Sequence, residues 1–333
     1  MIVDAHLDLA DNALRGRQVL LPARQQKPDE DGIPTVGLPD LRDGGVCLIC
    51  ATIFCQPKYD DKPGYQTPDQ AHAEALNQLG WYRHEDSAGN LRILHRPAEF
   101  NRQASPTQAI LLMEGADPIR DETDLQMFHS AGVRIIGLTW KEGTRYAGGN
   151  ARPGPLTRDG IALVKSLDRL GIIHDVSHLA DQALRELLEL SSGPVIASHS
   201  NCRSIVPGER QLCDEMIRAI VSRGGMIGIN FYDKFLVPPQ EHGKRRATLK
   251  DVTTHIRHIC DIAGSAAHVG LGTDMDGGLG REQIPVEIET SADLHRVADA
   301  LSGASFGDED VAAIMGENWT RFFSRNMGTQ YAK

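Results

Sequence analysis

No stretch of this chain approaches the ~20 consecutive apolar residues that a bilayer span requires, so a helical membrane anchor is not expected. The opening residues, Met1-Ile2-Val3-Asp4-Ala5-His6, lack both the basic segment and the long apolar segment of a secretory leader. A cytoplasmic location is expected on that basis. Blocks of lysine and arginine are also missing. The 45 Asp and Glu outnumber the 35 Lys and Arg, for a formal net charge of −10. Phosphate backbones bind to basic surfaces, so nucleic acid is not an expected partner. Internal repeats, low-complexity tracts and strong linkers are absent too, and residues 1–333 read as one unit. The region from Arg24 to Pro39, rich in Pro, Asp, Gln and Gly, reads as an early loop insertion near a site.

Cysteine is sparse, at six residues in 333. A cytosolic enzyme keeps such thiols reduced. Cys47 and Cys50 form a Cys-x-x-Cys pair inside the apolar run Val46–Phe54. On a strand, residues three apart point to opposite faces, so one ion does not readily take both, and core thiols are expected.

What recurs is a short apolar run followed by an amphipathic segment. Eight runs stand out: 2–9, 46–54, 109–113, 133–139, 172–176, 195–198, 226–230 and 268–272. Several follow a glycine that would end the preceding helix, as in Ala131-Gly132 and Leu170-Gly171. Thr67-Pro68-Asp69-Gln70 supplies a helix N-cap with Pro in the first turn. Residues 157–170 carry Ile161, Leu163, Val164, Leu167 and Leu170 at helical spacing, and 179–190, 214–222, 249–263 and 292–301 read similarly. Short buried strands alternating with helices imply a parallel sheet. Eight such units predict a closed (β/α)₈ TIM barrel. The alternative is a doubly wound open sheet, but the first run is not followed by the Gly-x-Gly-x-x-Gly loop that would support it.

In a barrel of this kind, chemistry is carried at the C-terminal ends of the strands. Run one holds His6 and Asp8, two apart and so on one face of a strand. Run three ends in Glu114, run five in Asp175-Val176-Ser177-His178, run six in Ser198-His199-Ser200, and run eight in Asp274-Met275-Asp276. Singly, each is more often a structural histidine or a helix cap. Together they put imidazole or carboxylate, donor types that suit zinc and similar divalent ions, at five of eight strand ends.

With these motifs the chain resembles the membrane (renal-type) dipeptidases, peptidase family M19, of the amidohydrolase-like metal-dependent hydrolases. The resemblance runs from Asp4-Ala5-His6-Leu7-Asp8, through Glu114-Gly115, Asp175-Val176-Ser177-His178 and Ser198-His199-Ser200, to Gly272-Thr273-Asp274 and Met315-Gly316-Glu317-Asn318-Trp319. It implies a binuclear zinc enzyme that cleaves dipeptides, with a D-residue tolerated at the C-terminal position. It implies that His6 and Asp8 bind one zinc, that His178 and His199 bind the other, and that Glu114 bridges both. By the same resemblance Asp274 is the catalytic carboxylate and Arg210 contacts substrate. The family often carries a histidine in a Leu-Thr-His stretch after the fourth strand, where this chain reads Leu138-Thr139-Trp140; Trp140 is then a wall of the substrate pocket. A homodimer is left open. Rival readings are another amidohydrolase-type activity on the same site, or a non-catalytic metal-binding descendant. The spare carboxylate Asp274 argues against the latter.

Overall fold

The computed structural model describes residues 1–103 and 105–328. Nine parallel strands form one sheet: β1 (Ile2–Leu7), β2 (Val46–Phe54), β3 (Arg92–Ile93), β4 (Gln108–Glu114), β5 (Val133–Gly137), β6 (Ile173–Asp175), β7 (Val195–Ala197), β8 (Met226–Ile229) and β9 (Val269–Leu271). The strand β1 pairs with both β2 and β9, and β2 pairs with β4, so eight strands close into a barrel. The short β3 adds only to the outer edge of β4, pairing at Arg92–Gln108 and Ile93–Ala109, and no apolar run announced it. The open-sheet alternative is excluded by this closure.

The apolar residues divide as the two periodicities require. Val3, Ala5, Leu48, Cys50, Ile110, Leu112, Ile135, Ile173 and Ile196 belong to one inner cluster, which also takes Trp319, Phe322 and Phe323 from the helix Asn318–Asn326. Trp319 donates its indole N–H to the Leu271 carbonyl at 3.0 Å, so this C-terminal helix plugs one end of the barrel beside β9. A second and larger cluster fills the layer between strands and helices. Burying an apolar side chain is worth about 1.5–3 kcal/mol, and these two layers supply most of the driving force for closure.

Helix boundaries largely follow local chemistry. Thr67 caps the helix Pro68–Ala88 in a reciprocal capping box with Gln70, and Thr157 caps Arg158–Leu170. Two expectations need correction. The segment expected from Leu179 begins its helix at Asp181, because after the turn at 177–178 Leu179 bridges to Gly149 and Ala180 is extended. The segment 292–301 is a 3₁₀ turn over Ser291–His295 before it becomes the α-helix Arg296–Gly303. The helix Glu122–Ser130 was not anticipated.

The early insertion is mostly irregular, but its last residues already belong to the short helix Leu38–Asp43. It is tied down by one buried carboxylate. Asp276 accepts hydrogen bonds from Thr35 N, Thr35 Oγ1 and Val36 N at 2.7–3.1 Å. Arg17 approaches the same carboxylate at 3.0 Å and clasps Asp29 at 2.6 and 2.7 Å. All six cysteines are free thiols, and Cys47 and Cys50 are buried as core residues. Among the described residues no helix is long and apolar enough to cross a membrane.

Candidate metal centre

Barrel closure gathers the polar strand ends at one mouth. A bulge decides which way the first of them points. Asp4 faces Ile49 and Leu7 faces Ala51, so three steps on β1 match two on β2. The extra residue reverses the alternation of side chains. Val3 and Ala5 fill the inner cluster, yet His6, of opposite parity, also turns into the mouth. His6 and Asp8 then share that face as the sequence spacing predicts.

The five expected ligands converge, in two sets that meet at Glu114. His6 Nε2 lies 3.7 Å from Asp8 Oδ2 and 3.8 Å from Glu114 Oε2. His178 Nε2 and His199 Nε2 lie 3.2 and 3.4 Å from Glu114 Oε1, and 3.1 Å from each other. Donors around one tetrahedral zinc, each bonded at about 2.1 Å, sit about 3.4 Å apart. The His178–His199–Glu114 set has the spacing of donors around a single ion, while His6 Nε2 groups with Glu114 and His199 on one side and with Asp8 and Asp274 on the other.

The hydrogen bonds behind the rings fix which nitrogen is free. Ser198 Oγ donates to Asp175 Oδ2 at 2.5 Å, so its lone pairs are left to accept. They face Nδ1 of His199 at 2.7 Å and Nδ1 of His6 at 3.3 Å. The Nδ1 of His178 faces the Asn150 side-chain oxygen at 3.0 Å. His178 and His199 thus carry their proton on Nδ1 and present a bare lone pair on Nε2, and His6 directs its Nε2 toward the surrounding carboxylates. Bare lone pairs 3.1 Å apart repel unless a cation lies between them. His6 Nε2, Asp8 Oδ1 and Glu114 Oε1 are buried without hydrogen-bond partners, a costly arrangement that bound cations would relieve. The residues present fit a pair of divalent ions.

Electrostatics agree. Burial holds His178 and His199 well below the usual imidazole range, with the charges of Arg210 and His6 adding to it; at His178 the Lys141 ammonium adds a little more. Burial alone would lower His6 as well, but Glu114, Asp8 and Asp274 raise it to about 10. Desolvation drives Glu114 well above the carboxylate range despite the His6 charge. Carboxylates and imidazoles this crowded and this buried are groups whose ionised or neutral donor forms divalent cations would stabilise.

Asp274 stands beside the first set, with Oδ1 3.9 Å from His6 Nε2. Closure puts it there, since Asp274 N bonds the His6 carbonyl and Asp4 ties β1 to Thr273 at 2.8 and 2.5 Å. Asn230 Nδ2 donates to Asp274 Oδ2 at 2.8 Å, which leaves Oδ1 toward the ligands. Asp274 and His178 hold left-handed backbone, φ +59° and +65°, a strain of about 1 kcal/mol or more each at the residues that face the centre. Gly115, which follows Glu114, has φ +84° with no atom closer than 3.6 Å to a hypothetical Cβ. Its need is conformational. Gly277 is the opposite case, for a Cβ there would meet Asp274 Oδ1 at 2.1 Å and Asp8 Oδ2 at 3.0 Å.

Arg210 and Trp140 line the mouth. Arg210 donates to Ser200 Oγ at 2.9 Å and to the His199 carbonyl at 2.6 Å, while its Nε is buried without a partner. The Trp140 ring lies 6.2 Å from His178, 5.2 Å from Phe54 and 5.5 Å from Tyr59. Sequence reasoning missed Asn150, Asp175, Ser198 and Asn230 as parts of the site. Asp175 and Ser198 were inside the quoted motifs, but nothing in a linear pattern separates a residue behind a ligand from the ligand itself.

A closed parallel barrel with histidine and carboxylate donors gathered about Glu114 at its mouth has the architecture of a metal-dependent hydrolase. The family model for membrane dipeptidases, peptidase family M19, matches residues 1–331, and the chain belongs to that family. A solved M19 metallopeptidase, dipeptidase AC, superposes with a TM-score of 0.85 at 28% identity, covering 98% of this chain and 99% of that one. A metallopeptidase of Rhodobacter sphaeroides, solved with a phosphinate mimic of L-Ala-D-Ala, gives 0.84 at 27% identity over 98% and 99%. In sequence, a Klebsiella pneumoniae protein from the pqqA 5' region is 32% identical over 71% of this chain and 89% of its own length. A dipeptidase of Schizosaccharomyces pombe is 31% identical over 60% of this chain, which spans only 48% of that protein.

Proposed function

We propose that this chain is a binuclear zinc dipeptidase that hydrolyses the peptide bond of small dipeptides, including those with a D-residue at the C-terminal position. The observation that carries the proposal is the convergence of histidine and carboxylate donors on His6 and Glu114, with the buried Asp274 beside them. His6 and Asp8 would hold one ion, His178 and His199 the other, and Glu114 both; imidazole and carboxylate donors favour zinc. Bound there, the ions would polarise the scissile carbonyl and make water a competent nucleophile near neutral pH.

The chain's own groups do the rest. Asp274 Oδ1 takes the proton of the attacking water and delivers it to the leaving amine. Burial raises Asp274 to about 7, against the opposing charge of His6, which suits a base working near neutrality. Asn230 fixes the other oxygen, so the carboxylate cannot rotate away. Arg210 offers its unpartnered Nε to the substrate carboxylate, and its bonds to Ser200 and the His199 carbonyl hold the guanidinium still. Trp140, with Phe54 and Tyr59, forms an apolar wall on the far side. The solved relative bound to a dipeptide mimic supports this substrate size.

A panel of L-Xaa-L-Xaa and L-Xaa-D-Xaa dipeptides, assayed with zinc-loaded protein, tests the proposal. Turnover of several dipeptides, lost on chelation and restored by zinc, is expected. Hydrolysis of lactones or other amides with none of dipeptides would overturn it.

A further inference from the structure

Lys141 follows Trp140 at the end of β5 and has no ion-pair partner among the described residues. Its ammonium lies 4.1 Å from the centre of the Tyr59 ring and 4.5 Å from that of Trp140. Aromatic faces hold a cation in place without neutralising it. The nearby Glu142 is already engaged with Arg152 at 2.9 Å. A fixed, uncompensated ammonium therefore stands on the wall that touches His178.

Its position relative to Asp274 gives it an orientation along the substrate. Going round the barrel from β9, the order is β8, β7, β6, β5, so β5 lies four strands away, diametrically across an eight-stranded mouth. The leaving amine belongs to the C-terminal residue of a dipeptide, and Asp274 after β9 delivers its proton. The C-terminal residue thus lies on the Asp274 side, its carboxylate toward Arg210. Adjacent residues of an extended peptide are about 3.8 Å apart between Cα atoms, so the N-terminal residue crosses the centre toward β5. An ordinary dipeptide has one carboxylate, which Arg210 takes. A second cation across the mouth calls for a second anionic group.

We propose that Lys141 is a specificity-determining residue, binding an acidic side chain on the N-terminal residue of the dipeptide. This rests on the dipeptidase reading above. The test is equilibrium binding of three phosphinate mimics, of Glu-Ala, Ala-Glu and Ala-Ala, to zinc-loaded native protein and to Lys141→Met. Lys141 is partly exposed, and a thermal melt checks that the variant folds. Native protein is expected to bind the Glu-Ala mimic about tenfold or more tighter than the Ala-Ala mimic, with the ratio falling to near one in Lys141→Met. A native ratio near one, a preference for Ala-Glu in its place, or a preference that survives the substitution would overturn the assignment. So would an equal loss for all three mimics, which would make Lys141 a general electrostatic element in place of the family histidine. Failure of all three to bind native protein would refute the dipeptidase reading itself, a result distinct from the loss of preference.

Discussion

Replacing Ser198 by alanine should loosen the metal centre without touching a ligand. Ser198 is fully buried and its one hydroxyl donates to Asp175 at 2.5 Å and accepts from His199 and His6 at 2.7 and 3.3 Å, with Ser177 Oγ also 3.3 Å away. Without it, two imidazoles lose the acceptor that holds the proton on Nδ1. Either ring is then free to rotate or to move its proton to Nε2, the nitrogen that must be bare to bind an ion. Removing such a supporting partner weakens metal affinity by about 10–100-fold. Asp175 Oδ2 also loses its hydroxyl donor, though Oδ1 keeps the backbone N–H of Ser177 and Ser198 at 3.0 and 2.9 Å. A buried acceptor left short costs about 1–3 kcal/mol, so a lowered melting temperature should accompany the loss. The assay is zinc competition against a chromogenic chelator, with nitrogen-15 spectra of the histidine rings reporting the tautomers. Zinc affinity within twofold of native, with the ring tautomers unchanged, would refute the reasoning.

Other expectations are checked more briefly. Asp274→Asn keeps shape and removes the base, so kcat on dipeptides should fall about 10²–10⁴-fold while zinc content stays at the native level. Asp276→Asn should instead act on stability, by about 3 kcal/mol, because it weakens the buried anchor shared by Arg17 and residues 35–36; denaturant melts and turnover of the two variants side by side separate them. Glu114→Ala should lose metal and activity together, and metal analysis showing two tightly bound ions would discard the bridge. Zinc binding to metal-free protein at pH 7 should release protons. His6, raised to about 10, is protonated there, and Asp274, raised to about 7, is about half so, and cations displace those protons. Release should shrink as pH rises through 10, where His6 has already lost its proton; an indicator-dye titration reads it directly.

The sequence alone determined the alternation of short buried strands and amphipathic helices, and with it the barrel. It also determined the ligand types, because His6 and Asp8 lie within the first apolar run and Glu114, His178, His199 and Asp274 stand just past the ends of later ones. Those are local properties, since strand burial and strand ends are written in a few consecutive residues. Only the tertiary structure decided the rest. The bulge in β1 that turns His6 inward depends on the register against β2, and register belongs to a pair of strands. The approach of Asp274 to His6 is a contact across 268 positions that exists only because β9 closes on β1. Ser198, Asp175, Asn150 and Asn230 acquired their places for the same reason. Serine, aspartate and asparagine are common in loops, and which imidazole or carboxylate each one orients is set by where the folded backbone brings them, over distances along the chain that no periodicity spans.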